Sequence, residues 1–116
     1  MIGSKTYYIR KLDALVSKEV RKVGKCEWCG KRGGQLQPAH IISRKNKTLR
    51  WDLANILCLC PTCHFKAHQD PLEFAEWIRF TFPKAYEYLM KAKNIVTKRS
   101  AKDLKELYEI LKSKTS

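Results

Sequence analysis

The stretch CEWCGKRGGQLQPAHIISRKNKTLRWDLANILCLCPTCHFKAH, residues 26–68, decides the reading of this chain. It holds all five cysteines and all three histidines of the 116-residue sequence. Cys26-Glu-Trp-Cys29 and Cys60-Pro-Thr-Cys63 are two C-x-x-C pairs. Each can present two thiolates from one tight turn or helix start. Together they complete a tetrahedral sulfur cage of the kind that closed, structural zinc sites use. Four coordinated sulfurs leave no open position, so binding of Zn2+ here contributes to folding directly. For one pair alone, a redox couple or two core cysteines would serve as well. A second pair in one short basic chain favours metal. Cys58, on an apolar run two residues before Cys60, reads as a buried small hydrophobe.

Between the pairs the sequence changes character several times. Cys26 to Gly34 reads as a zinc-knuckle turn, 35–42 as a strand, and Ser43 to Asp52 as a polar, basic loop. Ile56 to Cys60 is short and apolar, as a second strand should be. Pro61 suits the first position of a following helix. His64 and His68 stand at i and i+4 on that helix, so both imidazoles share one face and can share one ion. Cys63 points about 100° away from His64, which lets one helix serve two metals. His40 ends the first strand and Asn55 begins the second. A neutral histidine can take a proton near pH 7. A divalent ion can neutralise a phosphate and a departing alkoxide. Strand, loop, strand and helix therefore bring together parts suited to phosphodiester hydrolysis.

Outward from this core, residues 5–23 read as an amphipathic helix. Ile9, Leu12, Val16, Val20 and Val23 recur at helical spacing, and Gly24 is the stop. Residues 70–116 look helical throughout. Asp70-Pro-Leu-Glu73 is a capped start, Pro83 opens a second segment running to about Asn94, and Ser100 with Asp103 makes a capping box. Leu104, Leu107, Tyr108 and Leu111 then mark a buried stripe. The expectation is a small α+β fold in three parts within one compact domain. These are a basic N-terminal helix (1–24), a metal-stapled core (25–69) and a helical extension (70–116).

The net charge is +13, densest in the first two thirds, and favours polyanions, chiefly nucleic acid. Lys31, Arg32, Arg44, Lys45, Lys47, Arg50 and Lys66 are the candidate phosphate contacts. No run is long and apolar enough to span a bilayer, and the first ten residues lack the apolar core of a signal peptide. A cytoplasmic location follows as the expectation, where thiols stay reduced. The C-terminal helices are open to a protein partner or a second copy.

The string Gln37 to Arg44, then Leu49-Arg-Trp-Asp52, Asn55 and Leu59-Cys-Pro-Thr-Cys-His64, resembles the HNH endonucleases, with their ββα-metal motif. The resemblance covers residues 26–69, and the His40, Asn55, His64 and His68 separations are similar to those of colicin-type nucleases. It implies His40 as general base and Asn55 as the residue that orients its ring and pins the loop. His64 becomes a ligand to a catalytic ion such as Mg2+, Mn2+ or Ni2+. His68 becomes a second ligand or a phosphate contact, and Arg44 touches phosphate. The implied activity is metal-dependent cleavage of DNA, duplex or branched. One position departs from the pattern: many members carry Asp or His just before the base, and here Ala39 stands there. A zinc-stapled nucleic-acid-binding module without catalysis is the alternative that this departure motivates. Residues 49–89 also loosely resemble phage recombination nucleases that act on branched DNA; host cytoplasm is then the location.

Overall fold

The computed structural model describes residues 3–115. Helix α1 spans Lys5–Arg21. The Ser4 hydroxyl accepts the Tyr7 amide at its start, and Gly24, at φ 76°, turns the chain away beyond its end. A glycine in the left-handed region is the common way to stop a helix, because it has no Cβ to clash. Tyr8, Leu12, Val16 and Val20 form its buried stripe.

Strands β1 (Gln37–His40) and β2 (Ile56–Leu59) pair antiparallel, with Gln37 opposite Leu59 and His40 opposite Ile56. The predicted strand over 35–42 is therefore shorter at both ends. Gly33 and Gly34 both sit at positive φ before it. After it, the Ile41 amide makes one more bond in register, to the Asn55 carbonyl, but the Asn55 main-chain amide is bonded to Asp52 and the Ile42 amide goes to Asn55 Oδ1, so the ladder ends there. Asn55 belongs to a 3₁₀ turn, Leu53–Asn55, that feeds β2. Cys60, predicted as the last residue of the second strand, instead caps the next helix, its Sγ accepting the Cys63 amide at 3.4 Å.

Every residue of β2 is buried. Successive strand side chains point to opposite faces, and here both faces are covered. Ile56 and Cys58 pack with the stripe of α1 and with Trp51 and Leu104. Leu57 and Leu59 pack with Ala39, Ala67, Phe74 and Ile78. The unbroken apolar run in the sequence is the consequence.

Helices α2 (Pro61–Gln69), α3 (Pro71–Thr81) and α4 (Pro83–Ala92) each begin with proline, where no intrahelical N–H is needed. Helix α5, Ala101–Thr115, starts from reciprocal Ser100–Asp103 bonds of 2.9 and 3.1 Å. It runs along α1 in the same direction: Lys5 and Ile9 share a hollow with Ser100 and Leu104, and Lys22 Nζ reaches the Thr115 carbonyl. Helix α4 closes over the loop after β1, with Leu89 and Ala92 on Leu49 and the Tyr88 hydroxyl on Asp52. Among the described residues no helix is long and apolar enough to cross a membrane.

Candidate active site and metal centre

The knuckle is a tight reversal in which the Cys26 amide donates to the Lys31 carbonyl at 2.8 Å and Gly30, at φ 81°, donates back to Cys26 at 2.9 Å. Glu27 pins it to β2 at two points, its amide on the Cys58 carbonyl and its carboxylate on the Cys58 amide, both at 2.8 Å. Trp28 stacks on Trp77 of α3 with centroids 5.1 Å apart. The knuckle is thereby held against the start of α2. The sulfurs of Cys26, Cys29, Cys60 and Cys63 lie within 4.8 Å of one another, the only such cluster of three or more metal-binding side chains among the described residues.

The electrostatics of this cluster call for a cation. Burial raises the Cys26 thiol, but amide donors from Cys29, Cys60 and Trp28 outweigh it and bring the group down to about 6. Cys63 is pushed far up by burial and by the adjoining sulfurs. Four thiols this close cannot all ionise unless a positive ion stands among them, and four thiolates are the donor set of structural zinc. Cys58 is fully buried on the opposite face of β2, beside Val16 and Val20, and burial pushes its thiol up. It is no part of the cluster.

On the other side of α2, a cleft of about 630 Å³ opens between β1, the loop after it, α2 and α3. His40, Ser43, Arg44, His64 and His68 line its polar side; Pro71, Phe74 and Ile78 line its apolar side. His40 Nε2 lies 2.9 Å from the Arg50 carbonyl. A carbonyl only accepts, so Nε2 carries the proton and Nδ1 keeps its lone pair. Burial lowers the pKa of this imidazole, and the Arg44 and Arg50 cations add to that, against the raising effect of the Arg50 carbonyl and Asp13. His64 Nδ1 donates to Gln37 Oε1 at 2.7 Å, which leaves Nε2 with the lone pair. Burial lowers its pKa too, followed by His68 and His40. The His64 and His68 rings are 5.0 Å apart, His68 being the exposed one. An imidazole whose second nitrogen is fixed by a carbonyl oxygen is the usual form of a metal-binding histidine. The pair suits a borderline divalent ion and supplies two protein donors. Ala39, in the position before His40, is 2% exposed and supplies none.

Asn55 makes no hydrogen bond to the His40 ring. It is fully buried, accepts from the Ile42 amide at 2.7 Å and donates to the carbonyls of Ile42 and Leu49 at 3.0 and 3.2 Å. It ties the two ends of the loop together, while the ring is held by the Arg50 carbonyl. The Arg50 guanidinium faces inward, bidentate on Asp13 at 2.8 and 3.1 Å, with 14% of its side chain exposed. The guanidinium expected at phosphate is thus engaged with Asp13 and mostly turned away from solvent. Arg44 stands at the cleft, more than half exposed, with one bond to Asp13. Lys66 pairs with Glu73 and lies over Trp28. Lys31, Arg32, Lys45 and Lys47 are exposed and lie outside the cleft lining. Two residues without a sequence-level assignment belong to the site: Gln37, which fixes His64, and Asp13, which fixes Arg50.

Residues 26–70 match the model of the HNH endonuclease family. No curated protein and no solved structure matches the chain. The family carries a nuclease kind of activity and a nucleic-acid substrate.

Proposed function

We propose that the chain, whose residues 26–70 match the HNH endonuclease model, is a metal-dependent DNA endonuclease that hydrolyses phosphodiester bonds with His40 as its general base. The observation that carries this reading is one cleft lined by two imidazoles of opposite tautomer. His40 is held at Nε2 with Nδ1 free, and His64 is held at Nδ1 with Nε2 free. His40 Nδ1 takes the proton of the attacking water, and burial keeps it unprotonated for the task. Arg44 binds a phosphate oxygen at the cleft. Asn55 keeps the loop closed so that the Arg50 carbonyl stays on His40. His64 and His68 hold a divalent ion such as Mg2+, Mn2+ or Ni2+, which when bound neutralises charge on the phosphate and the departing oxygen. The four cysteines hold the structural zinc that fixes α2 to the knuckle.

A second reading rests on Ala39. With only two protein donors at the cleft, the chain would bind nucleic acid through its basic surface and not cut it. Incubation with supercoiled plasmid, single strands and a four-way junction separates the two. We expect nicking that requires a divalent ion and stops in EDTA. Binding to all three with no metal-dependent cleavage of any would establish the second reading.

A further inference from the structure

We infer that Asp13, on α1 and outside residues 26–70, is a positioning residue for His40, acting through the main chain of Arg50. The inference rests on His40 being the general base. The Asp13 carboxylate gathers four donors. Arg50 Nε and its terminal nitrogen donate at 3.1 and 2.8 Å, Trp51 Nε1 at 2.8 Å and Arg44 at 3.0 Å. A two-point guanidinium–carboxylate contact fixes a plane as well as a distance. The indole bond anchors the next residue along, and Trp51 is 5% exposed. Three bonds to one carboxylate thus pin two consecutive residues, and the carbonyl of the first holds the His40 ring.

A carboxylate that merely joined a helix to a loop would stabilise the fold and do nothing else. This one sits against the site itself. Asp13, His40 and Arg44 border a common hollow of about 190 Å³ beside Val16 and Pro38. Without the negative charge the half-buried Arg50 cation has no counter-ion and must turn toward water. The segment carrying its carbonyl then shifts, and the imidazole loses the contact that fixes its tautomer. Arg44 loses its anchor at the cleft by the same substitution. Helix α1 is therefore part of the active site, not only a wall of the core.

The test is Asp13→Asn in the full-length, zinc-loaded protein, read by 15N NMR of His40 and by single-turnover cleavage. We expect the His40 nitrogens to move from a single Nε2–H form toward a tautomer mixture. The rate should fall about 10- to 100-fold, as small misplacements of catalytic groups do, while DNA affinity changes less than the rate. An unchanged His40 spectrum with a parental rate overturns the inference. If the parent protein does not cleave DNA, the base assignment fails, and the NMR arm alone decides whether Asp13 sets the ring. If Asp13→Asn does not fold, Arg50→Lys, which keeps the cation but cannot form the fork, must produce the same spectral change.

Discussion

His40 can accept a proton only while Nδ1 is bare, so its pKa sets the lower limit of activity under the proposed mechanism. Burial and the flanking Arg44 and Arg50 hold that pKa below the ordinary 6.5, with Asp13 and the Arg50 carbonyl opposing them in part. Single-turnover cleavage is therefore expected to reach half its plateau below pH 6.5; a half-point above pH 6.5 would contradict the environment described. The sign for stability is the same. The unfolded imidazole binds its proton first, so what His40 contributes to folding is full above 6.5 and is lost as pH falls through the lower folded value. The residues of this site were not equally legible. His40, Asn55, His64 and His68 could be picked out because they stand at fixed separations on one strand, one turn and one helix. Asn55 stands out in the sequence, but its side chain bonds Ile42 and Leu49; the partner of the His40 ring is the main-chain carbonyl of Arg50, which no side-chain pattern announces. Asp13 lies on another helix, and no local pattern links it to Arg50. Its one signal is an aspartate, one of two carboxylates with Glu19, in a helix rich in lysine and arginine. Gln37 gave less, since an amide at a strand start has many uses.

The helices were readable from their ends. Pro61, Pro71, Pro83 and the Ser100–Asp103 box mark starts by local chemistry alone, and the structure has helices at each. The strands were readable as apolar runs but not in their limits, because tertiary contacts end them. The Asn55 main-chain amide is bonded to Asp52 and its side chain takes the Ile42 amide, and Cys60 is taken as a helix cap. The cysteine cluster joins the knuckle to the start of α2, beside the Glu27 bonds to Cys58 and the Trp28 stack on Trp77 that hold the same elements. We expect about one zinc per chain in the purified protein. Cys63→Ser is expected to lose it and to lower the melting temperature by about 10 °C or more, as the loss of a few kcal/mol does in a chain of this size. A folded, metal-free parent with the same melting temperature as Cys63→Ser would remove the staple.

At the scale of the molecule, the net charge of +13 draws a polyanion toward the surface without saying where it lands. The sequence counts charges but does not give their directions. Arg50 turned out to face inward, Arg44 to stand at the cleft, and Lys31, Arg32 and Lys66 to sit on the knuckle side of α2. Two half-cores, one against α1 and α5 and one against α2 and α3, hold the β hairpin from opposite faces. That arrangement brings a strand histidine and a helix histidine to one cleft, and the account stands on their roles there. The most direct check is His40→Ala, compared with the parent in single-turnover cleavage and in DNA affinity under the same salt and metal. We expect a rate about 100-fold lower or less still, in line with the loss of a general base, and affinity within about twofold of the parent. A His40→Ala protein that cuts DNA as fast as the parent would contradict the central claim.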